Sequence, residues 1–289
     1  METKDILKKV RKVEIKTSKL SDHIFSGEYH SSFKGRGMTF SEVREYQIGD
    51  DIRSIDWNVT ARYNEPYVKV FEEERELTLV LMVDISGSGY FGTREQLKRE
   101  TITEIAATLA FAATQNNDKV GLLLVSDEIE LFIPSKKGKK HVLRIIRHLI
   151  EFSPKSKKTN INKGLEYLSN VIKKKAIVFV LSDFIDQGYQ QSLKLLGKRH
   201  DVTGIRVIDR YDKELPKLGI ISVIDAESGR HKTVNTSSAR VRKAYNTHYK
   251  TTSNYCETAF KKSGSGIITT EVGESYVTKL LSYFKNKAG

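Results

Sequence analysis

The amino-acid sequence predicts an α/β protein with a doubly wound, mostly parallel sheet, preceded by a small N-terminal β-containing element. From Glu76 onward, short β-prone apolar segments alternate with longer segments whose apolar residues recur every three or four positions. The segment 176–181 is almost purely apolar, which is typical of a strand buried on both faces of a parallel sheet. With 289 residues, the chain is long enough for one large domain and a smaller one.

The elements of the larger domain follow from this alternation. Strands are predicted at 77–85, 120–125, 130–134, 176–181, 202–208 and 266–270. Helices are predicted at 93–115, 141–150, 162–173, 190–198, 239–262 and 275–284. A hairpin is predicted over 220–225 and 231–235, because the intervening Glu227-Ser228-Gly229 has turn-forming composition.

Residues 1–75 do not follow the alternation and are predicted to form a separate element. Glycines and aromatic residues are spread through short extended segments, and we predict strands at 33–40 and 67–73. Residues 1–19 mix basic and aliphatic side chains and lack the apolar core of a signal peptide, so they indicate a short amphipathic helix or lead-in. We therefore assign 1–75 to an N-terminal helix and β-element, and 76–289 to the main domain.

Composition favours a cytoplasmic protein. No apolar run approaches the roughly 20 residues that a membrane-spanning helix needs. The single cysteine, Cys256, excludes an internal disulfide and a multi-cysteine metal site. We therefore expect a cytoplasmic location without a transmembrane segment.

The formal net charge is +13, and lysines cluster within 136–140, 155–158 and 173–175. Such clusters suit an acidic partner, a nucleic acid or an anionic membrane surface. Lysines also accumulate in solvated loops and at helix C-termini, where the helix dipole stabilises them. Because no aromatic residues are interspersed as in single-strand binders, we favour the second interpretation and do not expect nucleic-acid binding.

The most informative segment is Asp84-Ile85-Ser86-Gly87-Ser88, directly after the apolar strand at 77–85. It places one carboxylate and two hydroxyls on a tight loop at the C-terminal end of a strand. Hard oxygen donors of this kind suit Mg²⁺ or Mn²⁺. The C-terminal edge of a parallel sheet is also where α/β folds usually bind ligands.

Two further residues extend this candidate site. Asp183 directly follows the strand at 176–181, so a parallel sheet brings it to the same edge as Asp84. Thr159, in the loop before the helix at 162–173, offers a third hydroxyl. The ordinary structural alternative is that these residues form turns or that Thr159 or Asn160 caps the helix. The combination of positions favours a metal.

This set of residues resembles the metal-ion-dependent adhesion site of von Willebrand factor A domains. The set consists of Asp84, Ser86, Ser88, Thr159 and Asp183. Upstream, residues 44–57, with the sequence REYQIGDDIRSIDW, resemble the signature of the bacterial domain-of-unknown-function family 58, and the stretches 61–62, 67–74, 215–219 and 225–229 also fit that family. Its members combine the signature with a von Willebrand factor A-like, Rossmann-like domain. The resemblance covers nearly the whole chain.

The resemblance implies a function for the site. In such sites the two serines and the threonine bind the ion directly, and one or both aspartates act directly or through water. The ion implied is Mg²⁺, or alternatively Mn²⁺ or Ca²⁺. Neutral hydroxyls leave the divalent charge largely uncompensated, so a carboxylate from another protein can complete the coordination.

The family also implies partners. Its members are typically encoded beside MoxR-type AAA+ ATPases. The expected partners are therefore such an ATPase and an acidic residue of a protein client. The implied function is that of a non-catalytic, metal-dependent protein-interaction module that helps to assemble or mature other proteins.

Two other classes of function are compatible with parts of the sequence. Asp84 with Mg²⁺ resembles the nucleophile of an aspartyl-phosphate phosphatase, but such enzymes place an acid two residues later, where this chain has Ser86. No nucleophile elbow and no Gly-rich phosphate-binding loop ending in Lys-Ser/Thr occurs in the sequence. Nucleic-acid binding through the lysine clusters is the other alternative.

The block from Arg44 to Arg62 contains paired arginine and aspartate residues and Trp57. It could form a docking surface or a ligand site. We favour a buried ion-pair network that joins the β-element to the main sheet, with Trp57 as its packing anchor, because structural ion pairs outnumber functional ones.

Overall fold

The computed structural model describes residues 39–72, 77–90, 97–225 and 229–288. The chain divides into two compact units, one within 34–77 and the other containing 78–289. The helix proposed for 1–19 and the domain boundary between 75 and 76 lie outside the described residues.

The smaller unit contains a two-stranded antiparallel sheet and a short helix. Strand β1 (Thr39–Glu45) pairs with β2 (Tyr67–Glu72). Between them lie a 3-10 turn at Ile52–Ser54 and helix α1 (Trp57–Tyr63). The sequence did not predict α1, because this seven-residue helix has no buried residue and hence no apolar periodicity.

The first predicted strand is displaced along the sequence. We expected it at 33–40, whereas β1 begins at Thr39 and continues to Glu45, with residues 33–38 outside the described part of the chain. The displacement follows from pairing, since Arg44 lies opposite Val68 and Glu45 opposite Tyr67. The start of the signature block is therefore part of this small sheet.

The larger unit is built on eight strands in its described part. They are β3 (Thr78–Asp84), β4 (Lys119–Val125), β5 (Ile129–Lys136), β6 (Ile177–Ser182), β7 (Asp201–Ile208), β8 (Ile220–Ile224), β9 (His231–Asn235) and β10 (Gly266–Glu271). Six of them form one sheet in the order β10-β7-β6-β3-β4-β5. Only β5 is antiparallel to its neighbour, which confirms the predicted mostly parallel sheet.

Helices cover both faces of this sheet, as a doubly wound fold requires. They are α2 (Lys98–Gln115), α3 (Lys139–Glu151), α4 (Ile161–Val171), α5 (Gln190–Arg199), α6 (Arg210–Lys213), α7 (Ala239–Ser263) and α8 (Tyr276–Ala288). Helices α2 and α3 pack together, and Thr108 of α2 meets Tyr276 of α8, which places these three on one face. Helices α4, α5 and α7 pack in sequence on the other.

The central strand β3 shows why the sheet is stable. Its side chains alternate between the two faces, and residues 79–83 are all buried. Val80 and Met82 join the core formed with α4, α5 and α7. On the opposite face, Phe179 of β6 packs edge-on against Phe284 of α8, with ring centroids 6.1 Å apart. Burial on both faces accounts for the near-continuous apolar runs in the sequence.

The predicted hairpin is present and stands apart from the main sheet, since β8 and β9 pair only with each other. Its face carrying Ile220 and Ile224 is exposed. Helix α6, which precedes the hairpin, was not predicted because four residues are too few for a periodic pattern. No helix in the described part of the chain is long and apolar enough to cross a membrane.

Candidate metal site

The fold brings two predicted site residues to one edge of the sheet. Strands β3 and β6 are parallel neighbours, with Val83 opposite Leu181. After β3 the chain continues to β4 on one side and later returns to β6 on the other. The C-terminal ends of β3 and β6 therefore flank the position where the strand order reverses, which is where open α/β sheets have a crevice. Asp84 ends β3, and Asp183 follows β6.

The loop after β3 is organised by Asp84. One carboxylate oxygen of Asp84 accepts a hydrogen bond from the Ser86 amide at 2.9 Å. The other accepts one from the Ser182 hydroxyl at 2.6 Å. The Ser86 and Ser88 hydroxyl oxygens lie 3.2 Å apart, so the loop presents two neutral donors side by side.

Asp183 is buried beside this loop. Its Oδ1 accepts a hydrogen bond from the Ile185 amide at 3.3 Å, and the neighbouring Ser88 hydroxyl contributes to lowering its pKa. The next residue, Phe184, has a φ of 54°, in the left-handed region that side chains other than glycine rarely adopt. Its amide donates to the Ser182 hydroxyl at 2.9 Å, and its ring is buried in the core. This turn fixes the direction in which Asp183 leaves the sheet.

The loop carrying Thr159 lies against the serine loop. The Gly87 amide donates to the Lys157 carbonyl at 2.8 Å. The Asn160 amide donates to the Ser126 carbonyl at 3.0 Å, and the Asn160 side chain caps α4 by accepting from the Lys163 amide at 3.1 Å. Asn160 is therefore the helix cap, and Thr159 lies half-buried between two anchored residues.

Two residues at this edge were not identified from the sequence. Lys98, at the start of α2, places its ammonium group 2.9 Å from Asp183 Oδ2 and 3.2 Å from Asp212 Oδ2. Asp183 and Asp212 are 85 and 114 residues away from Lys98 in the sequence, and no local sequence pattern indicates that a lysine will be buried. Asp212 belongs to the short helix α6, which was also missed.

Burial is the largest single influence on the pKa of each of these carboxyl groups. Burial, and after it the negative charge of Asp183, raise the pKa of Asp84 to about 6. Burial acts in the same direction on Asp183, but the Lys98 charge and the hydrogen bonds together lower its pKa below the usual range. Burial raises the pKa of Asp212, and Lys98 offsets part of that effect.

These features fit a hard divalent cation. The half-buried carboxylate of Asp84 and the buried carboxylate of Asp183 repel each other, and a cation between the loops would relieve both the repulsion and the cost of burial. The neighbouring hydroxyls of Ser86 and Ser88 are oxygen donors of the kind that Mg²⁺, Mn²⁺ and Ca²⁺ take. Among the described residues, no group of three or more His, Cys, Asp and Glu side chains is arranged to hold a metal, so any ion here depends on the hydroxyls.

The signature block differs from our expectation. Trp57 is 68% exposed and cannot be the packing anchor of a buried network. It is the first residue of α1, whose cap Asp56 accepts hydrogen bonds from the amides at the helix start. The bidentate pair between Arg44 and Asp50 is partly exposed and staples the turn after β1. The block is thus a locally stabilised surface element.

Comparison with known proteins identifies the family. Residues 42–255 match the model of the family described as "Protein of unknown function DUF58". The chain belongs to this family. An uncharacterised protein of Mycobacterium tuberculosis is 30% identical over 223 residues, covering 76% of this chain and 70% of its own. The uncharacterised protein YeaD of Bacillus subtilis is 29% identical over 122 residues, covering 42% of this chain and 27% of its own. The predicted family membership is confirmed.

Structural alignment matches several solved structures at low sequence identity, one of them a VWA domain. The conserved hypothetical protein BatB of Bacteroides thetaiotaomicron aligns with a TM-score of 0.49 and 13% identity, over 73% of this chain and 98% of that one. The Rpn10 VWA domain aligns at 0.39 and 8%, over 72% and 95%. A mussel byssus thread matrix protein with a zinc-occupied MIDAS motif aligns at 0.42 and 17%, over 74% and 48%. The fold assignment for this DUF58 chain rests on its own strand order.

Proposed function

We propose that this DUF58 chain is a non-catalytic protein-interaction module whose sheet edge binds a divalent cation, Mg²⁺ first and Mn²⁺ or Ca²⁺ as alternatives. Ser86, Ser88 and Thr159 would supply hydroxyl ligands, and Asp84 and Asp183 would act directly or through water. The ion would supply a positive charge with a free coordination position for a carboxylate of another protein.

The observation that supports this most directly is the meeting of two loops at the end of β3. The Ser86 and Ser88 hydroxyls lie 3.2 Å apart, next to the half-buried carboxylate of Asp84 and the buried carboxylate of Asp183. Without a cation, burial and the charge of Asp183 disfavour the charged form of Asp84, whereas Lys98 already compensates the charge of Asp183. Uncharged hydroxyl oxygens beside a carboxylate whose charged form is disfavoured suit a cation that binds a further ligand.

The charges around the site suit an acidic partner. The lysine-rich loop at 155–158 is held against the site by the bond between Gly87 and Lys157. Its backbone is also fixed by Glu130, which accepts from the Lys155 and Ser156 amides. Lys155, Lys157 and Lys158 are exposed and have no ion-pair partner among the residues that the structure describes. Exposed positive charge beside a bound cation would attract carboxylates.

For the partner, we propose a MoxR-type AAA+ ATPase, on family resemblance, with an acidic residue of a protein client as the group that reaches the ion. Together they would assist assembly or maturation of other proteins in the cytoplasm.

A pull-down tests the proposal. The immobilised chain is incubated with the MoxR-type ATPase from the same source, in Mg²⁺ or in EDTA. We expect chelation and Asp84→Ala to reduce retention of the ATPase to a similar degree. Asp201→Ala is the control, because Asp201 lies at the opposite end of the sheet, where β7 begins. Retention that survives both chelation and Asp84→Ala would show that the metal does not carry the contact.

The phosphatase alternative has a direct assay. Mg²⁺-dependent release of phosphate from a chromogenic ester, lost in Asp84→Ala, would support it. The residue two positions after Asp84 is Ser86, whose hydroxyl lies 3.2 Å from Ser88 and cannot serve as the carboxylic acid of that mechanism. We therefore expect no turnover.

A further inference from the structure

Lys98 is one of the largest fully buried side chains in the described part of the molecule, with 1% of its surface exposed. Its ammonium group donates to Asp183 Oδ2 at 2.9 Å and to both oxygens of Asp212 at 3.2 and 3.3 Å. Lysines are almost never fully buried unless they are paired, and removing an ammonium group from water costs several kcal/mol. The position therefore needs a specific explanation.

The surroundings hold this lysine in one place. Asp212 is oriented by its own helix, because Asp212 Oδ2 accepts from the Asp209 amide at 2.7 Å. Asp209 in turn caps α6 by accepting from the Tyr211 amide at 2.9 Å. Lys98 itself opens α2, so its backbone is fixed by that helix. The bridge thus connects three separate elements, α2, α6 and the turn after β6.

A second buried cation lies behind the same turn. The guanidinium group of Arg206 donates to the Asp183 main-chain carbonyl at 3.3 Å and to the Ser253 hydroxyl at 2.6 Å. Asp183 therefore has positive charge near both its carboxylate and its backbone. Of these two cations, Lys98 is the one bonded to a carboxylate that the proposed metal site uses.

We propose that Lys98 is an internal counter-ion of the metal site, which compensates Asp183 and Asp212 in the metal-free protein and thereby sets how tightly the site binds a divalent cation. This inference rests on the proposed function. Lys98 is a positioning residue: it would not bind the ion, but it holds Asp183 and shares its charge. Because the ammonium group is shared with Asp212, it interacts less strongly with Asp183, and the Asp183 carboxylate is more available to a metal.

The proposal predicts opposite effects for the two partners of the bridge. Lys98→Met keeps an unbranched side chain but removes the competing charge, so Mg²⁺ binding should tighten by about tenfold. Asp212→Asn leaves Lys98 with Asp183 as its remaining carboxylate, so Mg²⁺ binding should weaken by a similar factor. A role limited to folding would not shift the affinity for Mg²⁺ in opposite directions.

The experiment is isothermal titration of the purified full chain with MgCl₂ alone, at pH 8 to limit proton competition at the carboxylates. Thermal unfolding in EDTA and in MgCl₂ gives a second readout. We expect Lys98→Met to unfold at a lower temperature than the wild type in EDTA, and to gain more from Mg²⁺, because its buried carboxylates lose their counter-charge. Lys175→Met, which removes an exposed lysine before β6, is the matched control and should leave Mg²⁺ affinity unchanged.

The outcomes separate this proposal from the metal site itself. If the wild type binds Mg²⁺ but Lys98→Met and Asp212→Asn shift the affinity in the same direction or not at all, the counter-ion role is wrong and the metal site stands. If only Lys98→Met binds Mg²⁺, the counter-ion role is supported and metal-dependent function of the natural chain is wrong. If no variant binds, both are wrong. Should Lys98→Met fail to fold, Asp212→Asn decides: weaker binding supports the proposal, and unchanged or tighter binding overturns it.

Discussion

Asp84 lies half-buried at the end of β3 beside a second carboxylate, and burial together with the charge of Asp183 raises its pKa to about 6. A buried acid whose folded pKa exceeds its unfolded value destabilises the folded protein once it is charged. The penalty is absent below the unfolded pKa of 3.8, grows as the pH rises, and is complete above about 6. In the metal-free chain, Asp84 is therefore a residue that costs stability at neutral pH.

This leads to a prediction for Asp84→Asn. The amide carries no charge, so in EDTA at pH 7.5 the variant should unfold at a higher temperature than the wild type, and the difference should disappear toward pH 4. In MgCl₂ the order should reverse, because the variant loses a ligand. Thermal unfolding across this pH range measures both effects. A variant less stable than the wild type in EDTA at pH 7.5 would contradict the electrostatic account.

Trp57 carries a second prediction at this scale. Because its side chain is 68% exposed, Trp57→Ala should change the free energy of unfolding by less than about 0.5 kcal/mol. Phe179→Ala is the contrasting variant, since Phe179 is fully buried against Phe284 and its loss should cost about 3–5 kcal/mol. Denaturant titration gives both values.

Weaker retention of the ATPase by a stable Trp57→Ala chain would make the signature block a docking surface, and unchanged retention would exclude Trp57 from the contact.

At the scale of secondary-structure elements, β7 and α7 meet at a glycine. A Cβ atom on Gly204 would lie 2.4 Å from the ring of Phe260, which is buried on α7. A rigid ring cannot move aside as the end of a flexible side chain can. The absence of a side chain at Gly204 therefore sets how closely α7 approaches the sheet.

A double-mutant cycle tests this contact. Gly204→Ala should destabilise the chain by about 1–3 kcal/mol through overpacking. Phe260→Leu should also destabilise it, but the double variant should be less destabilised than the sum of the two, because the smaller side chain makes room for the methyl group. Strict additivity in denaturant titrations would show that α7 is positioned by other contacts.

Most of these elements were predictable because their signals are local. Strand β6 and helix α4 each show their period within a few residues. Helices α1 and α6 were not predictable, since one has no buried residue and the other only four residues. Helix α1 carries the exposed Trp57, and α6 carries Asp212, which accepts a hydrogen bond from Lys98.

For the molecule as a whole, the fold gives the lysine clusters different positions relative to the site. The cluster at 173–175 follows the C-terminus of α4, where the helix dipole stabilises positive charge as we expected. The cluster at 136–140 runs into the start of α3, where the dipole opposes it. The cluster at 155–158 lies beside the candidate metal site. The helix dipole therefore explains the lysines at 173–175, but it does not explain those at 136–140 and 155–158.

This difference yields a test in which net charge is held equal. Replacing Lys155, Lys157 and Lys158 with Gln should weaken retention of the ATPase several-fold, because their loop lies beside the proposed docking position. Replacing the lysines at 173–175 with Gln removes the same charge from the opposite end of the sheet and should have little effect. Equal losses of ATPase retention in both variants would indicate non-specific electrostatic attraction. If the wild type binds a single-stranded oligonucleotide and the variants do not, the nucleic-acid alternative is favoured.

Family membership, most of the order of strands and helices, and the strand-end positions of Asp84 and Asp183 could be predicted from the sequence alone, because apolar periodicity and strand-end motifs depend on neighbouring residues. The burial of Lys98 against Asp212, 114 residues away, and the exposure of Trp57 became evident from the three-dimensional packing. Burial and long-range charge pairing depend on which elements pack together, and no local pattern carries that information.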